Sequence, residues 1–176
     1  MTEKELFEIE NTRPHVVILG AGATIATIPS GDKNGRHCSV MHGFIKRLNL
    51  DAILNNVKLY TQSENIEDIY SELYERGEEC KKTREQLEDA IYDYFSKLQL
   101  PDEITIYDKI ILALTNKDLI ATFNWDPLLI QAYNRAKRIT TNLPSLAFLH
   151  GNVAAGFCEE CGHFGALQRK YCDNCG

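Results

Sequence analysis

Residues 16–22 read Val16-Val17-Ile18-Leu19-Gly20-Ala21-Gly22, four apolar residues running into a glycine turn. A short continuous apolar run of this kind suits a strand buried on both faces of a parallel sheet. The small, glycine-rich stretch that follows, residues 20–36, reads as a loop entering a helix or a mobile cap. The same strand-then-polar pattern recurs twice downstream. Residues 119–123 run into Asn124-Trp125-Asp126, and residues 146–149 run into His150-Gly151-Asn152. Pro101 breaks one helix, residues 107–114 read as another, and Pro127 opens a third that carries Leu129, Ile130, Tyr133 and Ala136. Strands alternating with helices predict an α/β fold, a Rossmann-like parallel sheet joined by crossover helices. Residues 14–50 and 100–156 are assigned to it, and residues 41–50 are expected to be helical, with Phe44, Ile45 and Leu48 on one side.

Between those two parts lies an all-α insertion, residues 51–99. Ile66, Ile69, Tyr70, Leu73 and Tyr74 follow helical spacing, as do Leu87, Ile91, Tyr94, Phe95 and Leu98. Two helices packed together are expected there, with their tyrosines in the core, and their surface could serve a protein partner or a second copy. Twelve acids and six bases fall in this segment, which accounts for the whole chain's net charge of −6. Nucleic-acid binding needs clustered positive charge, so nucleic acid is disfavoured as a partner. No apolar run approaches the roughly 20 residues of a membrane helix, and the first 13 residues, read as a tail, lack a signal-peptide pattern. A cytoplasmic location is the default.

Four of the six cysteines fall in the last nineteen residues, as Cys158-Glu-Glu-Cys161-Gly and Cys172-Asp-Asn-Cys175-Gly. Doubled C-x-x-C units predict a closed, structural zinc site on four thiolates rather than disulfides. Residues 157–176 are therefore read as a zinc ribbon, in which His163 is not needed as a ligand. Cys38 and Cys80 are expected to be buried or half-buried thiols.

The three strand ends carry the remaining chemistry. Glycines at the first let a backbone approach a diphosphate. Ile25, however, stands where the dinucleotide fingerprint wants its third glycine, and no acid follows at the ribose-binding distance, which disfavours an ordinary dehydrogenase. Plainer readings exist for each end: Asp126 before Pro127 as a helix cap, Asn124 as a turn residue, His150 as a satisfied histidine.

Taken in order, Gly20-Ala21-Gly22, then Thr122-Phe-Asn124-Trp-Asp126, then His150-Gly151, then the paired C-x-x-C units resemble the sirtuin family, over about residues 14–28 and 117–176. The wording of residues 122–129 and 148–153 is most similar to short bacterial sirtuin-like proteins. The resemblance implies a doubly wound NAD-binding fold and cleavage of the nicotinamide–ribose bond. It implies that Gly20, Ala21 and Gly22 face the diphosphate with Thr24 nearby, and that Asn124 holds the nicotinamide ribose or a water. Asp126 would contact the nicotinamide side, and His150 would be the general base for a ribose hydroxyl. Where the family follows its glycine turn with Gly-Ile-Pro-Asp-Phe-Arg, this chain has Ile28-Pro29-Ser30-Gly31-Asp32. The cover of the nicotinamide pocket is altered there, so NAD hydrolysis is expected over protein deacylation, with phage defence by NAD depletion as the implied role. The other expectations are a non-catalytic NAD or ADP-ribose module and a zinc-ribbon interaction scaffold. In the family the adenosine-binding strands follow the ribbon, so the expectation is a chain that continues beyond Gly176 and, as 176 residues alone, binds NAD weakly.

Overall fold

The structure, a computed structural model, describes residues 2–38, 43–165, 172, 174 and 175. Helix α1 spans Glu3–Thr12, in place of the expected tail. Its start is a capping box: the Thr2 hydroxyl accepts from the Glu5 amide, and the Glu5 carboxylate accepts from the Thr2 amide at 2.6 Å. The Thr-x-x-Glu spacing that specifies it is a purely local signal.

Strands β1 (Val16–Leu19), β2 (Leu119–Thr122) and β3 (Ser145–Phe148) form a parallel sheet in the order β1-β2-β3. Leu19, Thr122 and Phe148 stand side by side in register, so the residues that follow each strand emerge at one edge. Helix α7 (Ile106–Ala113) leads into β2 and α8 (Leu128–Ala136) joins β2 to β3. The two helices pack on each other over one face of the sheet, burying Tyr107, Ile111, Ile120, Leu128 and Ala132 completely. On the opposite face Val16 and Ile18 remain 62% and 67% exposed. The expectation that β1 is buried on both faces therefore holds for one face only. Alternation along the strand leaves the residues that point away from α7 and α8 without cover.

At the other end of the strands Asp118 ties β1 to β2. Its carboxylate accepts from the His15 amide at 2.8 Å and the Thr115 amide at 2.7 Å, and lies against His15 Nδ1 at 3.1 Å. These donors, the Thr115 amide foremost, hold its acidity well below the usual carboxylate range.

Of the two expectations for residues 20–36, a loop entering a helix or a mobile cap, the chain enters helix α2 (Ala21–Thr27) directly after Gly20. The helix stops at Ile28 because Pro29 disfavours helical backbone in the residue before it. Beyond it the chain is pinned. The buried Asp32 carboxylate accepts from the amides of Asn34, Arg36 and Gln99, fastening this loop to the end of the helical insertion. The helix expected over residues 41–50 is shorter, with α3 at Phe44–Arg47, and positions 41 and 42 lie outside the described residues.

The insertion contains α4 (Asp51–Leu54), α5 (Ile66–Glu75), a 3-10 turn (Gly77–Cys80) and α6 (Lys81–Ser96). Helices α5 and α6 pack together as expected, burying Ile66, Ile69, Leu73 and Leu87. Full burial of one such side chain is worth roughly 1.5–3 kcal/mol. Tyr74 departs from the expected stripe: it is 64% exposed and its ring lies against Arg84, because it falls at the margin of the buried arc. Phe95 of α6 stacks on Phe44 at 5.8 Å and meets Trp125 edge-on at 6.0 Å, so insertion and sheet share one apolar core. Cys80 is buried and Cys38 half-buried.

After β3 the chain turns through an Asn152–Ala155 bridge into the two-residue strands β4 (Gly156–Phe157) and β5 (Phe164–Gly165), which pair antiparallel. Among the described residues no helix is long and apolar enough to cross a membrane.

Candidate functional site

Parallel register brings three separated stretches to one edge. Gly20 follows β1, Asn124 lies two residues beyond β2, and His150 lies two residues beyond β3. In open parallel sheets this carboxyl edge is where ligands bind. Asn124 joins the first two stretches directly: its Nδ2 donates to the Gly20 carbonyl and to Thr24 Oγ1, both at 2.9 Å, and approaches the Tyr107 hydroxyl at 3.2 Å. Thr24 in turn donates to Asp126 Oδ2 at 2.6 Å. Asn152, after β3, donates to the Asp126 carbonyl at 2.6 Å. The His150 ring is exposed and rests edge-to-face on Phe123, with 5.0 Å between centroids.

The roles suggested by sequence separate here. Asp126 is 3% exposed and turned inward, and its Oδ1 accepts from the amide of Leu128, the first residue of α8. The cap expected of Asp126 falls one residue later, since Pro127 holds the N-cap position of α8 and Asp126 precedes it. Burial pushes its carboxyl above the usual range, with the Thr24 and Leu128 donors pulling the other way. Tyr107, which the sequence marks only as a helix residue, places its hydroxyl fully buried between Thr24 and Asn124. Burial first, and the Asp126 carboxylate second, push that phenol up to about 12, so it remains protonated. Apolar spacing assigns the ring to the core, but no local pattern marks the partner of its hydroxyl, 83 residues away in sequence.

Gly20, Ala21 and Gly22 form the rim of this edge. A Cβ built on Gly20 or Gly22 meets nothing within 4 Å, and neither residue has positive φ. The chain itself therefore does not require glycine at either position, and the open space suits a group from outside the chain. Gly22 lies within α2, where alanine is the better helix former. We expect Gly22→Ala to raise stability by about 0.5–1 kcal/mol in thermal melts while weakening any ligand that packs on the turn. A stability loss would mean that the glycine serves the fold alone.

The second centre is the cysteine cluster. The sulfurs of Cys158, Cys161, Cys172 and Cys175 all lie within 4.8 Å of one another. The pairs Cys158–Cys175 and Cys161–Cys172 stand at 3.6 and 3.5 Å. That is far beyond a disulfide bond and close to the roughly 3.8 Å edge of a tetrahedron of sulfurs around zinc. Four such cysteines could hold a metal ion such as zinc. Gly162 adopts φ +69°, and its amide reaches the Cys158 carbonyl at 2.9 Å, closing the first knuckle. In the second, the Asn174 amide donates to Cys172 Sγ at 3.4 Å. The Asn174 side chain and then the His163 backbone draw the Cys161 thiol down to about 6, whereas neighbouring sulfurs push Cys175 up. A readily ionised thiol within the set suits a ligand shell of thiolates.

No protein-family model matches the chain, and no curated protein is found to be similar to it.

Proposed function

We propose that this chain is a sirtuin-like NAD-binding protein that cleaves the nicotinamide–ribose bond, with water as the acceptor. The observation that carries the reading is the hydrogen bond from Asn124 to the Gly20 carbonyl. It draws the glycine turn and the second strand end together below a rim whose two glycines have open space above them. The diphosphate would pack on Gly20, Ala21 and Gly22, with Thr24 behind the turn. In the reaction the bond between ribose and nicotinamide breaks and nicotinamide leaves with the electron pair. The oxocarbenium-like sugar is then attacked by water, whose proton passes to solvent, while His150 takes the proton of a ribose hydroxyl as general base. An imidazole is suited to that transfer near neutral pH. Asn124 would orient the ribose or the water, and Asp126, through Thr24, would hold Asn124 in place. The four cysteines would bind structural zinc and take no part in the chemistry.

The test combines mapping with turnover. In amide spectra of the labelled protein, millimolar NAD should shift Gly20, Gly22, Thr24 and Asn124, a range that registers even weak binding. Chromatography should detect released nicotinamide, and His150→Ala should cut that release by roughly 100-fold or more without moving the melting temperature. Shifts confined to other surfaces would overturn the reading. Mapped binding without any nicotinamide would favour a nucleotide sensor instead, and deacylation of an acetyl-lysine peptide would replace water by that acceptor.

A further inference from the structure

One concavity of the described residues has a lining that includes none of Gly20, Ala21 and Gly22. It is a cavity of about 810 Å³ between the helical insertion, the chain after β3 and the ribbon, and His150 stands on its border. That volume lies within the range of small-molecule sites, roughly 300–1,000 Å³. Its walls are apolar at Ile66, Ile91, Val153 and Phe157, and three rings, those of Tyr70, Tyr92 and Trp125, line it as well. Among the described lining residues the charges are of one sign: Glu67, Glu88, Glu159 and Glu160 line the cavity, with no lysine or arginine beside them. Cys158, Cys172 and Cys175 lie along the same wall.

We infer that this cavity binds a small organic cation, an ammonium carried on a compact apolar body. Aromatic faces and carboxylates together recognise that chemistry, the faces through their negative quadrupole and the carboxylates through direct charge. An apolar body replaces water against the aliphatic walls. A phosphate-bearing ligand would meet repulsion from four carboxylates, so the site does not duplicate a dinucleotide site. One side of the cavity is already organised: the Tyr70 hydroxyl donates to Glu88 Oε1 at 2.5 Å, which fixes both the ring and the carboxylate. Burial and then Glu88 push the Tyr70 phenol up to about 12, so the hydroxyl keeps its proton and remains the donor. Helices α5 and α6, which build this wall, lie outside the stretches that resemble sirtuins, and the inference stands whether or not the chain consumes NAD.

Trp125 is the sole tryptophan and lines the cavity, so its emission reports occupancy directly. The full chain, purified in zinc-containing buffer, is titrated with benzyltrimethylammonium, and separately with benzyl alcohol and phenylacetate. The expected result is a saturable change with the cation, weaker binding of the alcohol and none of the anion. Glu67→Gln combined with Glu88→Gln should weaken the cation about tenfold; glutamine at 88 can still accept from Tyr70, so the wall is preserved. Should that double variant fail to fold, Glu159→Gln with Glu160→Gln tests the opposite side in the same way. Phenylacetate binding as tightly as the cation, no saturable change with the cation, or affinity indifferent to both pairs of substitutions would overturn the inference. Because no NAD enters the assay, its failure leaves the NAD reading untouched, and the reverse holds equally.

Discussion

Stripping metal from the protein with a chelator, or replacing Cys161 with serine, is expected to unfold the ribbon while the parallel sheet stays intact. Among its described residues the ribbon has little else to hold it. Its strands β4 and β5 pair over only two residues each, and of its described residues with an assigned burial only Cys172 is buried, at 8% exposure. Ordering each residue costs roughly 1–2 kcal/mol of backbone entropy, which a two-rung ladder does not offset. A structural zinc on four thiolates contributes on the order of 10 kcal/mol. Hydrogen exchange provides the measurement. The amides of Cys158 and Gly162, bonded to the His163 and Cys158 carbonyls, should lose protection on chelation, whereas Ile120 and Ala121 of β2 should keep theirs. One equivalent of zinc should be released at the same time. Ribbon amides that stay protected without metal would show that the cysteine cluster is not a metal centre.

Asn124→Ala should lower stability by about 2–3 kcal/mol, since it removes a donor shared by three acceptors in a part-buried network. For a chain of this length that corresponds to a fall of roughly 5–10 °C in melting temperature. The Gly20 carbonyl, Thr24 Oγ1 and Tyr107 hydroxyl would each lose a partner at 2.9–3.2 Å, and the glycine turn would lose its tie to β2. Tyr107→Phe should cost less, about 1–2 kcal/mol, because it removes one member and leaves the Asn124–Thr24–Asp126 contacts in place. His150→Ala, at an exposed ring, should stay within about 0.5 kcal/mol of the parent. Loss of nicotinamide release in the Asn124 variant therefore mixes lost chemistry with lost stability, and its melting curve separates the two. In the His150 variant the fold is unchanged, so a loss of release there reports on the chemistry alone. A neutral Asn124→Ala would mean that the network adds nothing to the fold, and its geometry would then have to be explained by a ligand.

Local pattern made much of this molecule legible. The apolar run at Val16–Leu19, the strand ends at Asn124 and His150, and the helices of the insertion all follow from periodicity and punctuation, because a strand or helix is encoded within a few residues of itself. The cysteine cluster was equally plain, since metal-ligand spacing is a local property. The capping box at Thr2 and Glu5 is just as local, but the acidic, weakly apolar composition around it hides the helix it starts. The exposure of Tyr74, the open face at Val16 and Ile18, and the buried hydroxyl of Tyr107 could not be read this way. Each depends on what stands opposite in space.

By itself, the sequence determined that strands alternate with helices, that an acidic helical segment interrupts them, and that four cysteines close on one another. Only the tertiary structure decided that Asn124 serves the glycine turn, that Asp126 faces inward, and that insertion, ribbon and His150 line one carboxylate-bearing cavity. The physical reason is range: hydrophobic period and ligand spacing act over a few residues, whereas a hydrogen bond or a cavity wall joins residues far apart in the chain, and only packing chooses which of them meet.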